Sequence, residues 1–189
     1  LISRNGLPLD LNPFDSRLES LHWLVVGATG TGKSFFVGVV LKRLIDAGEN
    51  ISVIFIDSNR SYKRLVCSTN KELYFEPQTL EDLKTKLQTV ISTPLSASKK
   101  LSGIELSELQ SKDKKEAIQL ILANIEEGLR ARLSTHVIYL VLDESWDLFK
   151  NEPHLIQKAF REFRKLNGAA IAITQSLSDF LSHETGRSI

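Results

Sequence analysis

Gly27-Ala28-Thr29-Gly30-Thr31-Gly32-Lys33-Ser34 fills every fixed position of the pattern Gly-x4-Gly-Lys-Ser/Thr. Its glycines allow the backbone to close into a concave nest whose N–H groups point inward, and a helix beginning at Lys33 would add its partial positive charge to that nest. Such a loop is built for phosphate. In that chemistry Lys33 reaches the β- and γ-phosphates of a nucleotide and the Ser34 hydroxyl ligates Mg²⁺. A glycine-rich tight turn without a ligand is the bland alternative, and the flanking sequence argues against it.

Immediately upstream, Leu21 to Val26 is a short apolar run ending at Gly27. Downstream, Phe35, Phe36, Val37, Val39, Val40, Leu41, Leu44 and Ile45 are apolar around most of a helix, which predicts a buried helix over 33–47 stopped by Gly48. Strand, loop and helix therefore follow in the order that the phosphate nest requires. Ile51 to Ile56, rich in β-branched residues and ending at Asp57, predicts a second strand, and Leu73 to Phe75 a short third. Thr79 with Asp82 three residues later reads as the cap of an amphipathic helix whose inner face carries Leu80, Leu83, Leu87, Val90 and Ile91. The polar stretch Ser92 to Lys114 has no period and is expected to be a loop or trimmed insertion. From Lys115 to Leu133, Ile118, Ile121, Leu122, Ile125 and Leu129 follow the spacing of one helix face.

The second chemical signal is Val137-Ile138-Tyr139-Leu140-Val141-Leu142-Asp143-Glu144. An unbroken apolar run of that length predicts a strand buried on both faces, and it delivers two carboxylates at its C-terminal end, where parallel sheets bind ligands. Asp143 would hold the magnesium through its coordinated water, and Glu144 would act as general base toward the attacking water. A helix from Pro153 to Leu166 ending at Gly168 follows, then a last strand, Ala169 to Ile173. Beyond it Gln175 suits a γ-phosphate sensor, with a strand-end amide as the alternative; for Asp57 and Ser58 a turn cap and a site role are equally served. Arg187 is a candidate for the arginine that one subunit of a ring lends to the next, with Arg161 or Arg164 as substitutes. The alternating elements predict an α/β fold with a mostly parallel sheet covered by helices on both faces.

Composition bounds the rest. The chain has 189 residues, 42% hydrophobic and 25% charged, enough for one sizeable core and too short for two large domains. A net charge of +1 predicts neither nucleic-acid coating nor a polybasic membrane surface, so any DNA contact would be local. Lys158, Arg161, Arg164 and Lys165 are the candidate cluster for such a contact or for a neighbouring subunit, a solvated face being the alternative. One cysteine, Cys67, fits a reducing compartment, and no run approaches the ~20 apolar residues of a membrane span. His22, His136, His154 and His183 lack metal spacing. Leu101-Ser102-Gly103 is followed by Ile104 and lies too far from Asp143 for a transporter signature loop. The chain opens on Leu1 and contains no methionine, the composition expected of a fragment.

Taken together, His22-Trp23-Leu24-Val25-Val26 leading into the phosphate loop, Phe55-Ile56-Asp57 with Ser61-Tyr62-Lys63-Arg64-Leu65, Leu142-Asp143-Glu144-Ser145-Trp146 and Thr174-Gln175-Ser176-Leu177-Ser178-Asp179-Phe180 resemble the ATPases of type IV secretion and conjugation systems, the VirB/TraC/TrbE class. The resemblance implies the C-terminal, RecA-like P-loop motor domain of such a protein. Residues 1–20 would be an irregular lead-in and 21–189 the ATPase domain, with an abbreviated helical insertion at 79–133. It places ATP on Gly27, Ala28, Thr29, Gly30, Thr31, Gly32, Lys33, Ser34 and Phe35, Mg²⁺ on Ser34 and Asp143, and catalysis on Lys33, Glu144 and Gln175, with Arg187 at a subunit interface. It also implies a homo-oligomer, often a hexamer, peripheral at the cytoplasmic face of the bacterial inner membrane, with channel components as partners and DNA or protein as substrate. Two departures stand out: Ser145 where the class usually has alanine, and Ser58-Asn59-Arg60 in place of a glycine-containing stretch. The competing readings are a DNA translocase of the FtsK/HerA type and an assembly protein regulated by nucleotide binding.

Overall fold

A computed structural model describes residues 20–95, 101–130, 137–144 and 153–175, without the side chains at 90, 92–95, 153–156, 158 and 159. Strands β1 (Trp23–Val26), β2 (Ile51–Asp57), β3 (Tyr74–Phe75), β4 (Leu101–Glu105), β5 (Val137–Leu142) and β6 (Gly168–Thr174) alternate with helices α1 (Lys33–Asp46), α2 (Lys63–Thr69), α3 (Leu80–Leu95), α4 (Ser111–Arg130) and α5 (Pro153–Lys165). The strands form one sheet in the order β1-β6-β5-β2-β4-β3, and every pairing is parallel. The α/β fold with a parallel sheet is as the alternation predicts.

Side chains alternate between the two faces of the sheet, and each face has its own core. On one, Ile54, Ile56, Leu140, Leu142, Ala170 and Ala172 pack under α3, α4 and α5 through Leu83, Leu87, Ile118, Ile121, Ile125, Phe160 and Phe163. On the other, Val53, Phe55, Tyr139, Val141, Ile171 and Ile173 pack under α1 and α2 through Val37, Leu41 and Val66. Double coverage explains why β2, β5 and β6 are buried at every position. The edge strand β1 instead alternates, leaving Leu24 and Val26 each 40% exposed.

Several local expectations hold. Thr79 and Asp82 exchange hydrogen bonds, Asp82 N to Thr79 Oγ1 at 3.2 Å and Thr79 N to Asp82 Oδ2 at 3.1 Å, capping α3 reciprocally. Gly48, at φ 88°, donates its N–H to Ile45 O at 3.0 Å and ends α1. His22 is structural: its Nδ1 accepts from Ala170 N at 2.9 Å while Nε2 lies 2.9 Å from Phe160 O, so the neutral ring with the proton on Nε2 joins β1, β6 and α5. Burial pulls its pKa below the ordinary histidine value, against the pull of the Phe160 carbonyl.

Others need correction. The polar stretch 92–114 is not a loop throughout: α3 runs on to Leu95, α4 starts at Ser111, and Leu101–Glu105 is a fully buried strand between β2 and β3. That strand lies within 79–133, so the helices there flank a member of the main sheet. It escaped a periodicity argument because Ser102, Gly103 and Glu105 are buried polar or small residues. Helix α1 buries one face only, Val37, Gly38 and Leu41, and Phe35 is 76% exposed. Gly168 opens β6 instead of ending α5; the left-handed residue is Asn167, at φ 58°. A Cβ at 168 would come within 3.1 Å of Leu129 and 3.2 Å of Phe163. Among the described residues no helix is long and apolar enough to cross a membrane.

Candidate functional site

The carboxyl ends of β1, β6, β5 and β2 meet on one edge of the sheet, and their following loops enclose a cleft of about 280 Å³. Thr29, Gly30, Gly32, Lys33, Ser34 and Phe35 line it from one side, and Asp143, Glu144 and Gln175 from the others. Residues more than a hundred positions apart in sequence are thus brought together as their chemistry requires.

The phosphate loop is anchored by its neighbour strand: Val26 is in register with Thr174, and Gly27 N donates to Thr174 O at 3.3 Å. Gly30 and Gly32 take φ of 78° and 85°, a region glycine enters without steric cost. Within the loop, Thr31 Oγ1 donates to Ala28 O at 2.7 Å and Lys33 Nζ to the same oxygen at 3.0 Å. Gly32 starts α1 without a side-chain cap, and no acidic residue occupies the first turn. The helix therefore keeps N–H groups and its positive end for an anion.

Asp143 follows β5, is 6% exposed, and receives the Glu144 N–H on Oδ1 at 2.9 Å. Burial lifts its carboxyl above the ordinary carboxylate range, with Asp57 and Glu144 adding to the rise, while the Ser34 hydroxyl and the Glu144 N–H oppose it. A buried carboxylate paired with a hydroxyl is a hard-oxygen set suited to a divalent cation such as Mg²⁺. Glu144 lines the cleft, half-buried and held at φ 51°, a left-handed conformation costly for a residue with a Cβ. Gln175 is exposed, and its Oε1 accepts from Thr29 Oγ1 at 3.0 Å.

Four lining residues are not among the site residues expected from the sequence: Asn59, Ser61, Ile173 and Thr174. The first two belong to the loop after β2, which Asp57 organises. Its Oδ1 accepts from Asn59 N at 3.1 Å and its Oδ2 from Tyr62 N at 2.9 Å, so the turn-cap role is realised. Beside it Glu105, in register with Asp57, takes Arg60 N on Oε2 at 2.8 Å and Ser107 N on Oε1 at 3.0 Å. Tyr74 Oη lies 3.0 Å from Asp57 Oδ2 and 2.9 Å from Glu105 Oε2. Tyr62 is buried, and its hydroxyl has no hydrogen-bond partner of proper geometry although it faces Ser34 and Asp143. That orphaned donor beside a hydroxyl and a carboxylate is a second sign that the pocket fits a hydrated cation. Arg187, Ser145, Trp146 and the segment 176–180 lie outside the described residues. Arg161, Arg164 and Lys165 are exposed on α5, and Lys165 pairs with Glu162 at 3.0 Å.

The family described as the central domain of helicase HerA (DUF87) matches residues 1–187. The structure of VirB4 of Thermoanaerobacter pseudethanolicus is similar at a TM-score of 0.71 and 16% identity, covering 98% of this chain and 79% of that one. The genome packaging NTPase B204 from Sulfolobus turreted icosahedral virus 2 in complex with ATP-gammaS is similar at a TM-score of 0.56 and 18% identity, covering 88% and 67%. The same NTPase with AMPPCP is similar at 0.52 and 19%, covering 82% and 65%. At these identities the likeness establishes the fold, that of RecA-like P-loop ATPases. No curated protein matches the chain in sequence.

Proposed function

The chain belongs to the family of the HerA helicase central domain, and from that premise we propose that it is an ATP-hydrolysing motor energising substrate transfer or pilus assembly by a type IV secretion system. The observation that carries the proposal is the convergence of the phosphate loop, Asp143, Glu144 and Gln175 on one cleft. The overall likeness to VirB4, over nearly the whole chain, supports the secretion role above others.

In this reading the loop 27–35 and the start of α1 bind the triphosphate, and Lys33 leaves the Ala28 carbonyl for the β- and γ-phosphates. Ser34 and Asp143 would hold Mg²⁺, which when bound would supply positive charge against the phosphate oxygens. Glu144 takes the proton of a water that attacks the γ-phosphorus. The bond to the β–γ bridging oxygen breaks, leaving ADP and phosphate. Gln175 orients that water. The subunits act as a ring, with Arg187 of one completing the site of the next, at the cytoplasmic face of the membrane beside the channel components.

The family match also favours a DNA translocase of the HerA type, and a nucleotide-regulated assembly protein is the third reading. ATPase assays on the assembled oligomer, with and without single- and double-stranded DNA, separate them. Turnover independent of DNA is expected. Strong stimulation by DNA would establish the translocase, and an oligomer without turnover the assembly role.

A further inference from the structure

Tyr62 is packed on its ring and pinned at its backbone. Its ring stacks on Phe55, with centroids 4.1 Å apart and planes 18° from parallel. Across the ring lies Gly38 of α1, where a Cβ would already touch Tyr62 Cδ1 and Cε1 at 3.7 Å. The backbone is pinned as well. Asn59, Arg60 and Tyr62 each donate an N–H to Asp57 or Glu105, two fully buried carboxylates on neighbouring strands, and Arg60 accepts φ 55° to do so. Tyr74 joins the two carboxylates from the far side.

All of this places one hydroxyl. Tyr62, 1% exposed, has its Oη close enough to Ser34 and Asp143 to interact with both, yet that oxygen has no hydrogen-bond partner of good geometry. Among the described residues two other buried hydroxyls, on Ser102 and Tyr139, are also unpartnered, but both sit within strands, and for Tyr139 burial alone perturbs the group. Tyr62 differs in lying beside polar groups, Ser34 and Asp143. A buried donor beside a hydroxyl and a carboxylate suits a water molecule fixed by a cation.

We propose that Tyr62 is a positioning residue of the cation site, its hydroxyl donating to a water bound to the divalent cation that Ser34 and Asp143 hold. The inference rests on the reading of Ser34 and Asp143 given above. Outer-shell partners of this kind change metal affinity by about 10-fold or more. The test is a titration of Mn²⁺ followed by electron paramagnetic resonance, in the presence of AMPPCP, on the full chain and on Tyr62→Phe and Asp143→Asn. Tyr62→Phe keeps the ring and its stacking. It should weaken Mn²⁺ binding about 10-fold, leave AMPPCP affinity in EDTA unchanged, and keep or raise the thermal midpoint. Wild-type Mn²⁺ affinity in Tyr62→Phe, with Asp143→Asn impaired, would overturn the role of Tyr62 alone. Unchanged affinity in both variants would overturn it together with the cation site. A loss of AMPPCP affinity in EDTA would show that Tyr62 shapes the loop instead, which also overturns the proposal.

Discussion

Thr29 Oγ1 donates to Gln175 Oε1 at 3.0 Å, tying the phosphate loop to the end of β6 across 146 residues of sequence. The bond is exposed, so its net contribution to stability is small, about 0.5–1.5 kcal/mol. Its geometric consequence is larger. With the amide oxygen committed to Thr29, the amide N–H groups of Gln175 are available to the cleft that both residues line.

Gln175→Ala should therefore reduce kcat for ATP hydrolysis by roughly 10–100-fold while KM changes by less than about 2-fold, because the amide acts on the attacking water and not on the ground-state triphosphate. Steady-state kinetics checks the split. A raised KM with normal kcat would make Gln175 a binding group.

Lys33 and Glu144 should separate binding from chemistry. Lys33 Nζ rests on the Ala28 carbonyl of its own loop, so it is free to exchange that partner for phosphate oxygens, and Lys33→Ala should lose both ATP affinity and turnover. Glu144→Gln keeps the shape of the side chain and removes its basicity. ATP should bind with near-normal affinity, and hydrolysis should fall by about 100-fold or more. Equilibrium binding and single-turnover measurements on the two variants decide the matter; normal turnover by Glu144→Gln would exclude it as the base.

The fold and most of the cleft were legible because they rest on local signals. Glycine spacing, a β-branched run ending in acids and a helical face each announce themselves within a few residues. What was hidden depends on partners distant in sequence. Glu105 looks like a solvated charge in a polar stretch, and only the pairing of β4 with β2 and β3 reveals it as a buried anchor receiving Arg60, Ser107 and Tyr74. Tyr62 belongs to a recognisable motif, but its unpartnered hydroxyl is a property of how α1, β2 and β5 come together. The same holds after α5, where Asn167 takes the left-handed turn and Gly168 is small because Leu129 and Phe163 leave no room for a Cβ.

Asp143 should trade stability for function. Its carboxyl is held above the usual carboxylate range, chiefly by burial and then by Asp57 and Glu144. A carboxyl with a higher pKa in the folded state binds its proton more tightly there. Its contribution to stability is complete below the unfolded pKa and is lost as pH rises through the folded one. Near pH 7 the Asp143 charge thus works against folding of the ligand-free protein. Asp143→Asn, which still offers an oxygen to the Glu144 N–H, should raise the thermal midpoint near pH 7 in EDTA. Below the ordinary carboxylate range, where the wild-type group is protonated, the two midpoints should converge. Scanning calorimetry at both pH values tests this, and a lower midpoint near pH 7 would mean that the Ser34 and Glu144 contacts outweigh burial.

Gly103 supplies a prediction whose sign runs against propensity. Replacing a strand glycine with alanine ordinarily stabilises by roughly 0.5–1 kcal/mol, through the entropy of the unfolded chain. Here a Cβ at 103 would lie 2.6 Å from Cδ2 and 2.9 Å from Cε2 of Tyr74, the residue in register with it on β3. The ring cannot swing aside without withdrawing its hydroxyl from Asp57 and Glu105, so the overlap is not relieved cheaply. Gly103→Ala should destabilise by about 1–3 kcal/mol, the usual range for overpacking a core. In Tyr74→Leu the ring and its hydroxyl are gone, and the two carboxylates lose a shared donor, at a cost of about 1–3 kcal/mol. Combining the two should cost clearly less than their sum, because the clash needs the ring. Urea unfolding of the two single variants and the double variant measures the coupling, and strict additivity would show that the glycine at 103 is required by the backbone and not by Tyr74.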